Sequence, residues 1–420
     1  MMRWLSAGES HGAALVGIID AVPAGVEISS ADIAAALARR RLGYGRGARQ
    51  KFEQDEVRVL GGLRHGKTLG SPLAIEIGNS EWPKWEVVMS PDPVAPEALL
   101  IDAGTGDERE VARNRRLTRP RPGHADYAGM MKFDHEDARH VLERASARET
   151  ATRVALGEVA RRFLQQVAGI EIASHVVQIG ECTADPAAFD ELVDAVGVAQ
   201  AREQLDNDPV RAANAEVSAQ FVAAIDEAQK NGDTIGGEVE VCAYLVPVGL
   251  GSYTQWDERL DARLAAALMS IPSAKTVAIG EGSAQVSAPG SRAHDDIEVN
   301  VAAARGIRRT SNRAGGVEGG MTNGETLRAR VGFKPISTVP RARPTIDLAS
   351  GEAATALHQR SDTCAVVPAA VIAEAMVAIT LAAAVVEMYG TGSVERIRAS
   401  ISAHQSDIAR RTRGQKGSAS

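Results

Sequence analysis

Aromatic side chains are scarce in this chain: Phe, Tyr and Trp make up 4% of 420 residues. Its core must therefore be filled by Ala, Val, Leu and Ile, within a hydrophobic share of 44% that is ordinary for a globular protein. Cysteine is scarcer still. Cys182, Cys242 and Cys364 lie far apart with no Cys-x-x-Cys pair, which excludes a disulfide framework and a thiolate zinc site. The longest apolar stretch without a charge, Ala375–Val386, has twelve residues, short of the roughly 20 a membrane helix needs. The opening Met1-Met2-Arg3-Trp4-Leu5 runs into a glycine loop too soon for a signal peptide. A cytoplasmic protein with no membrane partner is expected. The net charge of −7 argues against nucleic acid as a partner, because nonspecific binding needs a basic footprint. Lysine is short as well, with 8 Lys against 39 Arg. A coding bias toward Ala and Gly enriches Arg too, but guanidinium forks also grip phosphate and carboxylate bidentately. Position has to decide between the two.

The chain is long enough to bury a large core. Two short strands, Arg3–Leu5 and Ala14–Ile19, are expected around the first glycine loop. A helix should start at Ser29 or Ser30 with Asp32 in its first turn, carry Ile33 and Leu37, and end at Arg39-Arg40-Arg41. Val57–Leu60 and Leu73–Ile77 read as the arms of a hairpin. Ser146-Ala147-Arg148-Glu149 matches the Ser-x-x-Glu capping box and predicts a helix from Ser146 to about Val167. Further helices fit Ala187–Ala195, Ala215–Lys230, Leu260–Met269 and Pro368–Met388, and strands fit Glu171–Cys182, Glu238–Val248 and Thr326–Val331. Helices and hairpins come in blocks, which favours an α+β fold with antiparallel sheets over a doubly wound one. Neither a repeat nor a linker divides the chain, so one large domain, 1–405, is expected. The polar tail, 406–420, is expected to be disordered.

Gly61-Gly62-Leu63-Arg64-His65-Gly66-Lys67-Thr68 satisfies the P-loop pattern letter for letter. A working P-loop opens a helix, whose free N–H groups bind the phosphates. Here Leu69-Gly70-Ser71-Pro72 would break a helix in its first turn. A hairpin turn is the better reading, and nucleotide hydrolysis is rejected. Gly43-Tyr44-Gly45-Arg46-Gly47 follows a helix and lacks the dinucleotide-binding spacing.

Two histidines stand in glycine-bearing loops, Gly8-Glu9-Ser10-His11-Gly12 and Arg121-Pro122-Gly123-His124-Ala125-Asp126. Either alone is more readily a structural residue in a tight turn than a proton carrier near neutrality. Their company favours chemistry. Arg40, Arg46 and Arg49 surround a glycine-rich turn, Arg121 precedes His124 by three residues, Arg144 and Arg148 flank Ser146, and Arg360 sits two before Asp362. Each could be a solvated surface charge; together they suit an anion carrying phosphate and carboxylate. Gly315, Gly316, Gly319 and Gly320 let backbone amides lie against a ring or a phosphate. Lys334-Pro335-Ile336-Ser337-Thr338 offers an ammonium and two hydroxyls as a phosphate clasp.

These segments resemble one family, the chorismate synthases. Its signatures stand here, in family order, as Gly8–Gly12, Arg41–Arg46, Arg121–Asp126, Arg144–Thr150, Gly232–Gly237, Asn312–Gly316 with Gly319-Gly320, Lys334–Thr338 and Arg360–Asp362. The resemblance spans roughly residues 1–390 and includes the P-loop look-alike. It implies a β-α-β sandwich, with helices between antiparallel sheets, assembled as a homotetramer. It also implies conversion of 5-enolpyruvylshikimate 3-phosphate to chorismate by loss of phosphate and a proton, the final shikimate-pathway step of aromatic amino acid biosynthesis. Reduced FMN is required without net redox change, with NADPH as indirect reductant through an external flavin reductase.

Carried over by motif, His11 is the acid toward the departing phosphate, His124 protonates or polarises the reduced flavin, and Asp362 helps take the proton, with Ser10 and Ser146 in the hydrogen-bond network. Arg40, Arg46, Arg49, Arg121, Arg148 and Arg360 would hold the substrate's phosphate and carboxylates. For Arg40 and Arg46 this is a better physical account than the NADPH contact often given for relatives. FMN contacts would fall on Arg144, Ala145, Ser146, Gly319, Lys334, Pro335, Ile336, Ser337, Thr338 and Arg360. The family's Asn-Ala pair at one more FMN contact is replaced by Pro272-Ser273. Two other readings are a flavin-dependent oxidoreductase that reduces its own FMN with NADPH, and a non-catalytic phosphate-binding protein, which would not need His11, His124 and Asp362 together. No metal site is expected.

Overall fold

The computed structural model describes residues 2–47, 55–99, 113–300, 302–356 and 362–413. Arg49 and Arg360, both expected substrate contacts, lie outside them.

Alternation of apolar and polar residues builds the first antiparallel sheet. Its strands lie in the order Arg3–Gly8, Ala14–Asp20, Leu73–Asn79, Asp55–Gly61. Leu15 and Ile19 point to one face with Leu73, Ile75 and Ile77, all nearly fully buried, as a half-buried sheet requires. The second sheet runs Ala274–Ile279, Leu327–Phe333, Gly237–Tyr244, Glu171–Ile179, Cys182–Thr183, again antiparallel. Helix Thr150–Ala168 packs on strands Ala14–Asp20 and Leu73–Asn79 of the first sheet and on Glu171–Ile179 of the second. Helix Val366–Tyr389 packs along it and rests on Glu171–Ile179 and Gly237–Tyr244. At Gly157 the two helices nearly touch, since a Cβ there would stand 2.3 Å from the Cβ of Ala375. The architecture is α+β, with a main core running through sheets and helices and a smaller cluster of Ala173, Phe189, Val198, Leu205 and Cys242 beside it.

The helix Val366–Tyr389 is longer than the charge-free run inside it. It has 24 residues, and an 18-residue window within it has a mean hydropathy of 2.3, enough by length and composition to cross a bilayer. Instead it lies inside the protein, apolar all round because it is covered all round. Its buried charge, Glu374, accepts from Arg39 at 2.9 and 3.1 Å, Ser174 at 2.7 Å and Arg211 at 3.2 Å. Burial alone would raise the Glu374 carboxyl, but these guanidinium groups hold it well below the usual range.

Local signals held in some places and misled in others. Ser29 and Asp32 form the reciprocal capping box of helix Ser30–Arg41. Ser146, by contrast, caps a single 3₁₀ turn, Ala147–Glu149, and the α-helix begins at Thr150. Glu149 reaches forward to Arg153 at 3.0 Å instead of back to its cap. The P-loop look-alike is a hairpin: strands Leu63–Arg64 and Lys67–Thr68 meet through His65 (φ 49°) and Gly66 (φ 75°), the positive-φ pair of a type I′ turn. Helix Val198–Asn207, split from Ala187–Val196 by Gly197 at φ 81°, was not expected. The expected disorder from residue 406 is corrected in part: helix Val394–Thr412 runs through it, anchored on the core by buried Val394, Ile397 and Ile401. Residues 414–420 lie outside the described residues.

Candidate active site

The turn between the first two strands presents His11. Asn79, at the end of strand Leu73–Asn79, fixes it by donating to the Ser10 carbonyl at 2.9 Å and the Gly12 carbonyl at 3.1 Å. Glu143, on helix Arg139–Ala145, then grips the residue twice. One carboxylate oxygen accepts the His11 amide at 2.9 Å, and both lie 2.9 Å from its ring Nδ1. Glu143 is buried and has Arg139 3.8 Å away. A carboxylate accepts, so Nδ1 carries the proton and Nε2 is left for exchange. Next to it, burial and then the Glu143 charge push the Glu9 carboxyl up. Ser146 Oγ lies 3.2 Å from Ser10 Oγ, which brings the 3₁₀ turn to the same place. Arg144 holds this loop from below, donating to the Gly8 and Ser6 carbonyls at 3.1 and 2.9 Å.

His124 is held by the same device from its own loop. Its Nδ1 lies 2.5 Å from Asp126 Oδ1, and Asp126 also accepts from the Arg121 amide at 3.0 Å, Nε at 2.8 Å and Nη2 at 3.0 Å. Arg121 Nη2 lies 2.9 Å from Nδ1 as well. A guanidinium can only donate, so the two contacts demand opposite tautomers, and the shorter one to a charged acceptor prevails. Nδ1–H therefore points at Asp126 and Nε2 is again the exchangeable position. Burial works to raise the Asp126 carboxyl, but the bonds from His124 and Arg121 outweigh it and hold it well below the usual range.

Asp362 joins a third group. It accepts the Gly47 amide at 2.7 Å and lies 3.3 Å from Arg46 Nε. The next residues thread the groups together. Thr363 donates to the Gly45 carbonyl at 2.8 Å and accepts the Ile235 amide at 3.0 Å. Thr234 Oγ1 donates to the Ile336 carbonyl at 2.8 Å. Lys334 Nζ donates to the Gly123 carbonyl at 2.6 Å, and Arg121 Nη1 to Thr338 Oγ1 at 3.1 Å. At the other end, Arg40 donates to the Ala147 carbonyl and Thr150 Oγ1, each at 3.1 Å, while Arg41 and Arg148 share Asp55. The expected motifs thus form one connected series from His11 through the end of helix Ser30–Arg41 to His124.

Some expected residues stand apart from that series. Among the described residues no hydrogen bond joins His11 to His124, and none joins Gly319 or Arg144 to the Lys334–Thr338 loop. Arg40, Arg121 and Arg148 are over nine-tenths buried, each already engaged by a carbonyl, hydroxyl or carboxylate of the protein. Glu143, Asp126 and Asn79 were not assigned a role from sequence, nor was Trp85, whose indole stacks on the His11 ring. Asp126 is two residues from His124 and could have been paired with it; the others had no local signal.

Beside the loop of His124, where the resemblance implies a flavin, a cleft of about 440 Å³ is lined by residues that include Thr234–Glu238, Lys275, Phe333, Lys334 and Pro335, within the range of small-ligand sites. Ser273, in place of the family's usual Ala, takes φ 72° and accepts the Lys334 amide at 3.0 Å, so Pro272-Ser273 borders the same clasp. Gly319, at φ 60°, has no atom within 4 Å of where a Cβ would stand, an open backbone face.

Comparison with known proteins agrees over nearly the whole chain. The family model described as chorismate synthase matches residues 2–386. A chorismate synthase of Streptomyces avermitilis is 57% identical over 407 residues, covering 97% of this chain and 98% of that relative. One of Beutenbergia cavernae is 60% identical over 394 residues, covering 94% and 95%. A solved crystal structure of chorismate synthase superposes with a TM-score of 0.74 at 34% identity, covering 97% of this chain and 98% of its own.

Proposed function

The chain belongs to the chorismate synthase family and is a lyase of the last shikimate-pathway step, and we propose that it performs this elimination through two histidines, each held at Nδ1 by a buried carboxylate. Phosphate leaves 5-enolpyruvylshikimate 3-phosphate, a ring proton is lost, and chorismate results. The observation that carries the reading is the matched pair His11–Glu143 and His124–Asp126. Each fixes ring and tautomer, so that Nε2 is the nitrogen that exchanges a proton, the positional demand of general acid–base catalysis.

In this reading His11 gives its Nε2 proton to the departing phosphate, with Glu143 stabilising the imidazolium beforehand. Ser10 and Ser146 complete the hydrogen bonds at that end. Arg40, Arg46, Arg121 and Arg148, with Arg49 and Arg360, hold the phosphate and carboxylates. The prior engagement of Arg40, Arg46, Arg121 and Arg148 by protein groups fixes each of these forks in place, which lowers the ordering cost of binding. Lys334–Thr338 and the open face at Gly319 would hold reduced FMN, with Arg144, Ala145 and Ser146 at its edge, and His124 would donate from Nε2 toward it. The chemistry supplied by a reduced flavin bound there would be a reversible loan of electron density as phosphate leaves. Asp362 accepts the proton at the close, kept in place by Gly47 and Arg46.

The two sheets with helices between them are read as the family's β-α-β sandwich, assembled as a cytoplasmic homotetramer. NADPH acts at one remove, through an external reductase. The test is anaerobic incubation with substrate and photoreduced FMN, following phosphate and chorismate. Release supports the reading and its absence defeats it. Turnover with NADPH in place of photoreduction would replace the external reductase with self-reduction.

A further inference from the structure

Glu143 holds His11 along one edge of the ring. Trp85 covers its face. Its ring lies parallel to the imidazole within 21°, with centroids 3.8 Å apart. The indole is itself fixed from several sides. The guanidinium carbons of Arg113 and Arg139 lie 5.1 and 5.5 Å from its centroid. Arg113 donates to the carbonyl of Lys84, the residue before Trp85, at 2.5 Å. Asn79, which grips the His11 turn through its amide nitrogen, accepts the Glu81 amide at 3.1 Å through its oxygen. One side chain therefore sets both the histidine turn and the start of the segment that carries the indole.

Resting on the proposed acid role of His11, we propose that Trp85 is a positioning residue that fixes the plane of the imidazole, so that Nε2 is aimed at the leaving phosphate. An indole face laid against the imidazole restricts its tilt without adding a charge or competing for Nε2. No proton is consumed by the stack; the one lost from Nε2 passes to phosphate and is regained from solvent.

The test uses the full-length enzyme with reduced FMN and two variants, Trp85→Ala and Trp85→Phe. Trp85→Ala should lower kcat about tenfold with the substrate KM nearly unchanged. Trp85→Phe, which keeps a stacking face, should recover most of the loss. Equal kcat in Trp85→Ala overturns the proposal, as does a loss that Phe does not relieve. An independent readout needs no turnover. Protonated imidazole in contact with an indole quenches its emission, so tryptophan fluorescence of the unliganded enzyme should show a pH step. That step should vanish in Trp85→Phe and in His11→Asn, and its persistence in either would refute the stack. If the step behaves as expected in a protein that releases no phosphate, the proposed reaction fails and the stack stands.

Discussion

Replacing Asp126 by Asn tests the tautomer argument most directly. The carboxylate accepts four hydrogen bonds, three from Arg121 and one from His124 Nδ1. An amide of the same shape keeps one oxygen, enough for the Arg121 amide and Nε. Its NH2 group then faces Arg121 Nη2 and His124 Nδ1–H, donor against donor. His124 can escape by moving its proton to Nε2 and accepting at Nδ1, which exchanges the roles of its two nitrogens. The lost charge-assisted bond is worth about 1.5–3 kcal/mol, or roughly 10- to 100-fold in rate. Full loss of proton transfer by a positioned group would reach about 10²–10⁴-fold, so a fall in kcat of around 10²-fold is expected, with substrate KM little changed. Single-turnover phosphate release under anaerobic conditions gives the rate, and 15N spectra of labelled histidine give the tautomer. A variant whose His124 has switched tautomer yet turns over normally would refute the assignment. The same substitution has a stability signature. The folded Asp126 carboxyl lies below its unfolded value, so between the two the unfolded chain binds more protons and stability rises with pH. Asp126 stabilises above the ordinary Asp range and ceases to do so as pH falls through it. The difference in Tm between parent and Asp126→Asn should therefore shrink on acidification.

Three further outcomes follow from the same geometry. Glu374→Gln leaves the buried Arg39 and Arg211 without their shared carboxylate and should cost about 3–5 kcal/mol, seen as a clear drop in Tm. Because the folded Glu374 carboxyl is depressed, that gap should narrow below the ordinary Glu range, and an unchanged Tm at pH 7 would contradict the network's role. Gly157→Ala places a Cβ 2.3 Å from that of Ala375; the two helices must separate, at about 1–3 kcal/mol, and thermal unfolding at parental Tm would show the contact to be slack. Arg46→Ala should weaken substrate more than FMN in equilibrium titrations, and the reverse order would move Arg46 to the cofactor.

What could be read from sequence divides by the reach of the interaction. Ser29 and Asp32, three residues apart, announced their helix; His65-Gly66, followed by Leu69–Pro72, announced a hairpin. Ser146 carried the same capping signal, but its Glu149 had Arg153 within one turn as a rival partner, and the longer helix lost its first turn to 3₁₀ geometry. Glu374 read only as the edge of an apolar run, because Arg39, Arg202 and Arg211 come from other parts of the chain. The site splits in the same way. Asp126 stands two residues from His124, whereas Glu143 stands 132 residues from His11, and no spacing rule could pair those. Yet the two carboxylates belong to one piece of structure. Helices Asp126–Phe133 and Arg139–Ala145 pack so closely that a Cβ on Gly129 would come within 2.5 Å of Val141. Asp126 opens the first helix and Glu143 lies near the end of the second. The glycine loops supply the histidines, but a single rigid helical pair orients both. The relation between the two Nδ1 positions is therefore set largely by helix packing, with Asn79 and Trp85 adding to the hold on His11. Under the proposed roles, that packing would keep the acid toward phosphate and the acid toward flavin in a fixed relation.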